Sequence, residues 1–281
     1  MTRPNRALLA VAGLAGLAYG VLATLTLRER QTVDAIRTDL GQTTGPTVTF
    51  TEDMVAGMPA PARRFFVHAI EPGALLARVA HIEMSGQIKP SEKTDWAPFK
   101  ARQVLTAGRG FLWEPSVRMK GIPVTGSDHY LNSEGRTRIA LLGLVPVVNA
   151  TGPDIARAAR ARAVVELIWW LPSSFFLEKD ARAEPVDDHR FVVVYPLDGD
   201  ESRMTLTVDD DGRLLEGVLP RWGNQTETGE FAYIPFGGTV QEERTFDGYT
   251  IAARASAGWW YGTDRYREFF RVTIDRVSYD I

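Results

Sequence analysis

Apolar and polar residues alternate with a period of two in several segments of this 281-residue chain. Met204, Leu206 and Val208 alternate with two threonines, and Ile82 and Met84 follow the same pattern. Strict alternation gives a strand one buried and one solvated face, which is typical of antiparallel sheets. The pattern therefore predicts a mainly β fold with helices (α+β), built on a large antiparallel sheet.

Turn chemistry and further alternating runs extend this sheet over most of the chain. The sequence "DDDG" at residues 209–212 lies between two apolar runs, and Asp-Gly at such a place predicts a hairpin. Pro61 and the apolar spacing that follows it predict a helix over residues 61–70. Further strands are predicted near residues 97–107, 109–119, 123–131, 134–142, 190–197, 227–235, 238–246, 249–257 and 267–280.

One strong helical segment, near residues 152–177, interrupts the strands in the middle of the chain. Pro153 suits the first turn of a helix, and Asp154 favours its positive end. Both sides of this helix become apolar toward its end. A helix that is apolar all round is buried or embedded in a membrane, so we predict a central helix packed on the sheet.

The stretch "LIWWLPSSFFL", residues 167–177, closes this segment and contains no charged residue. Pro172 interrupts it, and it is too short to span a bilayer. Its aromatic side chains can form ordinary core, line a ligand cavity beneath the sheet, or lie on a membrane surface. The residues alone leave these three interpretations open.

Arg162 and Glu166 lie four residues apart on one face of the predicted helix, so they can pair. A buried ion pair would fix the helix on the sheet, because removing one partner of such a pair costs about 3–5 kcal/mol. The alternative is a polar contact inside a ligand pocket. A catalytic carboxylate at Glu166 is a third interpretation.

Residues 7–27 carry no charge and are long enough to cross a bilayer as a helix. Charged residues follow directly, without a small-x-small cleavage motif, so we predict an uncleaved membrane anchor. The predicted organisation is an anchor over residues 1–30, a linker over 31–50 that begins as a helical extension, and one β domain over 51–281. A short N-terminal tail normally stays in the cytoplasm, which places the body of this single-pass protein outside.

The sequence lacks the common signatures of catalysis. It contains no cysteine, and its four histidines share no metal-ligand spacing. It also contains no nucleophile elbow, P-loop or dinucleotide-binding motif. With a net charge of −3 and no basic run, it does not favour a nucleic-acid partner. We therefore assign no catalytic residue, metal site or cofactor, and the oligomeric state stays open.

Most of the chain resembles a family of uncharacterised bacterial proteins that are often membrane-anchored. The matching segments include "GFLWEPSVRM" at residues 110–119, "RAVVELIWWLPSSF" at 162–175 and "YIPFGGTVQEERTFDG" at 233–248. The function of this family is not established, so the resemblance implies no catalytic residue. The layout is also loosely similar to the lipoprotein-carrier fold, in which a curved antiparallel sheet, or half-barrel, encloses a site for acyl chains.

The leading hypothesis is an extracytoplasmic domain that binds a hydrophobic or lipid-like ligand. The abundance of tryptophan and the helix that is apolar all round favour such a site. The candidate ligand-binding residues are Trp113, Arg162, Glu166, Trp169, Trp170 and Arg221.

Two alternatives belong to other classes of protein. One is a hydrolase that uses two carboxylates, such as Asp128 and Glu166, which would have to face one cleft. The other is a ligand-free structural or interaction protein of the cell envelope, for which an exposed sheet edge or apolar patch would be expected.

Overall fold

The computed structural model describes residues 6–281, with the side chains of residue 17 and of residues 20–281. The helices in this part of the chain are α1 (Arg6–Leu40), α2 (Ala60–Ala69), α3 (Pro153–Trp170) and α4 (Ser174–Leu177), with a 3₁₀ turn at Glu52–Val55. The strands are β1 (Val79–Ile88), β2 (Ala97–Thr106), β3 (Gly110–Met119), β4 (Ile122–Leu131), β5 (Glu134–Leu141), β6 (Val145–Thr151), β7 (Arg182–Pro185), β8 (Arg190–Leu197), β9 (Asp200–Val208), β10 (Leu214–Gly223), β11 (Ala232–Phe246), β12 (Tyr249–Trp259) and β13 (Arg267–Asp280).

All of these strands form one antiparallel sheet. Its order is β6-β5-β4-β3-β2-β1-β13-β12-β11-β10-β9-β8-β7. Strands that pair are therefore consecutive in the chain, except for β1 and β13. After β6, α3 and α4 carry the chain to the opposite edge, and β7 to β13 return to β1. The predicted meander with one helical interruption is therefore confirmed, and the sheet is open because β6 and β7 do not pair with each other.

The sheet curves strongly around α3. This helix contacts β5 near one edge and β8 near the other, and ten strand spacings would separate these by about 48 Å in a flat sheet. A helix of 18 residues is only about 27 Å long, so the two edges must bend toward each other. Tyr130 of β4 also donates a hydrogen bond of 2.6 Å to Asp198 in the β8–β9 turn. The fold is an open, curved sheet with α3 on its inner face.

Close backbone contacts position α3 on this sheet. A Cβ atom at Gly135 of β5 would lie 2.6 Å from the Cα atom of Ala156 in α3, so only glycine allows the helix to approach there. Pro153 occupies the first turn of α3, as predicted. The helix ends at Trp170, two residues before Pro172, which also agrees with the predicted interruption.

The stretch over residues 167–177 divides between two environments. Trp169 and Trp170 end α3 and face the inner side of the sheet, as described below. Phe175 and Phe176 pack on Phe66 of α2, with ring centroids 4.6 Å and 4.9 Å away. The second half of the stretch is therefore ordinary core.

The predicted set of strands differs from the structure at three strands, β11, β6 and β7. We predicted two strands over 227–235 and 238–246, but β11 is continuous through Gly237 and Gly238. These glycines permit close contacts rather than a turn, because a Cβ atom at Gly238 would lie 2.1 Å from the Ser256 carbonyl oxygen. The short strands β6 and β7 were not predicted. Both are sheet edges with little buried surface, so their sequences lack a clear alternation.

The second half of α1 packs on the outer face of the sheet. Val33 and Leu40 join a small core with Val104, Leu112 and Leu131. The helical extension predicted after residue 30 therefore reaches Leu40, and it belongs to the packed body up to that residue.

The predicted anchor, residues 7–27, falls within α1. The side chains of residues 6–16, 18 and 19 lie outside the described part of the chain. Among the residues that the structure describes, no helix is both long enough and apolar enough to cross a membrane.

Candidate ligand-binding cavity

A cavity of about 370 Å³ lies between α3 and the inner face of the sheet. Its walls come from α3 and from strands in both halves of the meander. It shares Trp113, Asp128 and Trp259 with a wider cleft of about 1180 Å³, so the two spaces adjoin. All six candidate residues line the cavity: Trp113, Arg162, Glu166, Trp169, Trp170 and Arg221.

The aromatic wall of the cavity is held by close packing. Trp169 lies against two strand glycines: a Cβ atom at Gly217 would be 2.9 Å from its Nε1 atom, and one at Gly238 would be 3.1 Å from its ring. The Nε1 atom of Trp170 donates a hydrogen bond of 3.0 Å to the Ala252 carbonyl oxygen. These contacts fix both indoles, so the cavity has a preformed apolar side.

Arg162 is the centre of a polar cluster at one side of the cavity. Its Nε atom donates to Glu166 Oε1 over 2.7 Å, and its Nη1 atom donates to Asp128 Oδ2 over 2.5 Å. Gln103 Nε2 and Thr137 Oγ1 donate to the other oxygens of Glu166 and Asp128, over 2.7 Å and 2.9 Å. Both carboxylates thus accept hydrogen bonds on both oxygens, as buried charges require.

The electrostatic effect of this cluster favours a permanently charged Arg162. Burial lowers the pKa of its guanidinium, and the charges and hydrogen bonds of Glu166 and Asp128 outweigh burial and raise it above its ordinary value. The guanidinium also lies 4.5 Å from the ring centroid of Phe111 and 4.9 Å from that of Trp113. Arg162 therefore has two carboxylate partners within the protein, which balance its charge.

Arg221 of β10 lines the same cavity in a different environment. Its Nε atom donates to the Ala158 carbonyl oxygen over 3.3 Å, and it has no ion pair with any residue of the described chain. Its guanidinium lies 4.6 Å from the ring centroid of Phe236 and 5.0 Å from that of Trp259. Burial, followed by repulsion from Arg162, lowers the pKa of Arg221 to about 10.

Two indole donors in the cavity wall also lack partners. Trp113 and Trp169 are 8% and 6% exposed, and the Nε1 atom of each is buried without a hydrogen bond in the structure. Buried donors are normally satisfied. The cavity therefore combines apolar walls with unused donors.

The hydrolase alternative requires two carboxylates facing one cleft. Asp128 and Glu166 do face the same space, but both bind Arg162 and both oxygens of each are occupied. This geometry supports a structural role for the two carboxylates in the Arg162 cluster. Within the described residues there is no group of three histidine or acidic side chains that could hold a metal ion.

Some residues of the candidate site were not predicted from the sequence. Gln103 and Thr137 complete the Arg162 cluster, and their positions depend on how α3 crosses β2 and β5. Phe236 and Trp259 flank Arg221 and are brought to it by strand pairing. The glycine pair in "YIPFGGTV" was a usable signal, since consecutive glycines inside a strand mark a close approach of another group.

Comparison with known proteins identifies the family. The model of a family of unknown function, DUF6544, matches residues 48–272. The match covers most of the chain, so this protein belongs to that family, and the predicted membership in an uncharacterised family is confirmed. No protein of curated function matches the chain.

Two solved structures resemble the chain weakly. A LolA superfamily protein from Nitrosomonas europaea has a TM-score of 0.42 and 8% sequence identity, covering 79% of this chain and 92% of that chain. A DUF1329 family protein from Desulfovibrio piger has a TM-score of 0.42 and 12% identity, covering 79% and 91%. Similarity at this level carries no argument about function, so the cavity itself is the basis for a proposal.

Proposed function

We propose that this protein is a membrane-anchored, extracytoplasmic domain that binds an apolar, lipid-like ligand between α3 and the curved sheet. The cavity of about 370 Å³ carries this proposal. Ligand pockets in proteins measure roughly 300–1,000 Å³ and combine apolar walls with a few polar groups. The adjoining cleft gives a chain-like ligand a route to the cavity and room for a part that the cavity does not hold.

The packing around the cavity supports a ligand more than an incompletely filled core. Protein interiors rarely contain large voids, because each missing contact destabilises the fold. Here the walls are rigid: Trp169 is seated on Gly217 and Gly238, and Trp170 is hydrogen-bonded to a strand. Such walls cannot easily collapse, and a bound apolar molecule would restore the missing contacts.

The proposed anchor is the uncharged segment of residues 7–27. α1 crosses the outer face of the sheet from Leu40, which contacts β2, to Glu29, which binds β5. The residues that precede Glu29 therefore extend toward the edge formed by β6. That edge carries exposed Val145 and Val147, and an apolar edge beside an apolar helix suits a body that lies close to a bilayer.

Native mass spectrometry of the full chain, purified from its own host in a mild detergent and followed by organic extraction, tests the ligand. We expect a co-purifying amphiphile in a ratio near one to one. Ala257 of β12 lines the cavity, so the variant Ala257→Phe should block the space and lose the molecule.

Arg254→Phe is the matched control, because Arg254 is an exposed residue of the same strand. This variant should retain the molecule. An empty wild-type protein that is fully folded would contradict the proposal. Equal loading of the Ala257→Phe variant would also contradict it, because the molecule would then bind elsewhere.

Topology is tested separately with an epitope tag at the C-terminus. Protease added to intact spheroplasts should remove the tag if the body is extracytoplasmic. A tag that is cleaved only after lysis would place the body in the cytoplasm and overturn this part of the proposal.

A further inference from the structure

Arg221 has unused hydrogen-bonding capacity inside the cavity. An arginine side chain carries five N–H donors, and its Nε atom is the one that meets a protein acceptor, the Ala158 carbonyl oxygen. Its two terminal nitrogens have no hydrogen-bond partner among the described residues. A buried guanidinium is normally paired with a carboxylate, because isolating the charge from water is unfavourable.

The surroundings of Arg221 fix its position but form no ion pair with it, and Asp128 and Glu166 attract its charge only from a longer distance. Phe236 and Trp259 lie on its guanidinium at 4.6 Å and 5.0 Å, and both line the cavity. Aromatic faces attract a cation and restrict its plane. Arg162 contributes the strongest charge effect on Arg221, and this effect is repulsive. An anionic acceptor in contact with Arg221 would supply both the hydrogen bonds and the ion pair that the protein does not.

Three other unpaired polar atoms belong to residues that line the cavity. The Nε1 atoms of Trp113 and Trp169 are buried donors without an acceptor, but the Trp169 atom lies against Gly217 and is closed to a ligand. The Oε1 atom of Gln225 is also unpaired there, but rotation of this amide by 180° would present its NH₂ group instead. The terminal nitrogens of Arg221 are therefore the donors that the site offers to a ligand with acceptors.

We infer that the ligand carries an anionic oxygen head group on an apolar chain, and that Arg221 binds this head group. The inference rests on the proposed function, because it concerns the same cavity. Arg162 does not take this role, since Asp128 and Glu166 already occupy it. The head group is a carboxylate or a phosphate, which share the acceptor chemistry that a guanidinium recognises.

Three ligands with the same chain and different heads test the inference: tetradecanoate, tetradecyl phosphate and tetradecanol. Their equilibrium binding to the full chain in micelles of a neutral detergent is measured by native mass spectrometry. We expect the wild-type protein to bind at least one of the anions roughly 10- to 100-fold more tightly than the alcohol, as charged hydrogen bonds allow. The tighter anion identifies the head group as carboxylate or phosphate.

Arg221→Gln should remove this preference without abolishing binding of the alcohol, and Arg221→Lys should retain part of it. Arg157→Gln is the control: Arg157 is an exposed cation of α3 that lies on Trp222, outside the cavity, so this variant should keep the full preference. The preference of the wild-type protein is measured without a substitution, so a folding defect in a variant does not weaken the test.

The possible outcomes distinguish failure of this inference from failure of the proposed function. Equal binding of the alcohol and both anions by the wild-type protein would overturn the inference and leave the apolar cavity as the binding site. An undiminished preference in Arg221→Gln would also overturn it. Failure of all three ligands to bind would overturn the proposed function together with the inference.

Discussion

Arg162 and Arg221 line one cavity and lie on aromatic rings, yet their partners differ. Arg162 binds Asp128 and Glu166, whereas Arg221 binds only the carbonyl oxygen of Ala158. The first arginine completes a network that joins α3 to the sheet. The second keeps donors that the protein does not use. The comparison teaches that burial alone does not define the role of a charged side chain, and that its hydrogen-bond partners do.

The largest expected effect comes from removing the partnered arginine. Arg162→Met would leave Asp128 and Glu166 buried without their cation, so we expect the free energy of unfolding to fall by about 3–5 kcal/mol. Urea denaturation followed by tryptophan fluorescence measures it. Arg157→Met, on the exposed side of α3, should change it by less than about 1 kcal/mol. A similar small change in Arg162→Met would show that the cluster does not stabilise the fold.

Removing Arg221 should change the free energy of unfolding in the opposite direction. Arg221→Met replaces a half-buried charge that lacks a carboxylate, so we expect the ligand-free protein to become more stable by about 1–3 kcal/mol. The same denaturation assay applies, with delipidated protein. A loss of stability as large as that of Arg162→Met would remove the distinction between the two arginines.

The pH dependence of this second effect follows from the lowered pKa of Arg221, about 10 in the folded protein. Folding disfavours the charged form, so its unfavourable contribution is fully present below this pKa and disappears as pH rises from about 10 toward the unfolded value. The difference in stability between wild type and Arg221→Met should therefore be constant from about pH 7 to 9 and shrink above it. A difference that grows with pH would contradict the assignment.

The smallest expected effect concerns Thr137, at the edge of the Arg162 cluster. Thr137→Val removes the hydroxyl that donates to Asp128 over 2.9 Å and keeps the shape of the side chain. We expect a loss of about 0.5–1.5 kcal/mol, the usual net value of one hydrogen bond. Thr250→Val on β12, which loses a hydroxyl bonded to Thr245, compares a similar deletion outside the cluster. An equal or larger loss in the Thr250 variant would show that the hydroxyl bonded to Asp128 stabilises the fold no more than one outside the cluster.

The sequence predicts local features of this fold well, because period and turn chemistry act over short distances. The alternation identified β2 to β5 within a few residues, and Pro153 marked the start of α3. The edge strands β6 and β7 could not be found in this way, because little of their surface is buried. The continuous β11 was divided wrongly, because Gly237 and Gly238 resemble a turn unless the neighbouring Trp169 is known.

For the candidate site, too, local spacing predicts some features, and the others depend on the tertiary fold. Spacing on one helix was enough to place Arg162 and Glu166 on one stripe of the helix, and their ion pair follows from that spacing. The meeting of this stripe with Asp128 and Arg221 depends on the curvature of a sheet in which β4 and β10 are seven positions apart. No local pattern contains that information. The ligand-binding role of these residues stays a prediction.

A crystal structure of the full chain with tetradecanoate bound tests the distinction between the two arginines most directly. We predict that the alkyl chain lies in the cavity beside Trp169 and that its carboxylate accepts hydrogen bonds from the terminal nitrogens of Arg221. Arg162 should keep both Asp128 and Glu166. A ligand bound outside the cavity, or a carboxylate that displaces the partners of Arg162 while Arg221 remains unbound, would contradict this assignment.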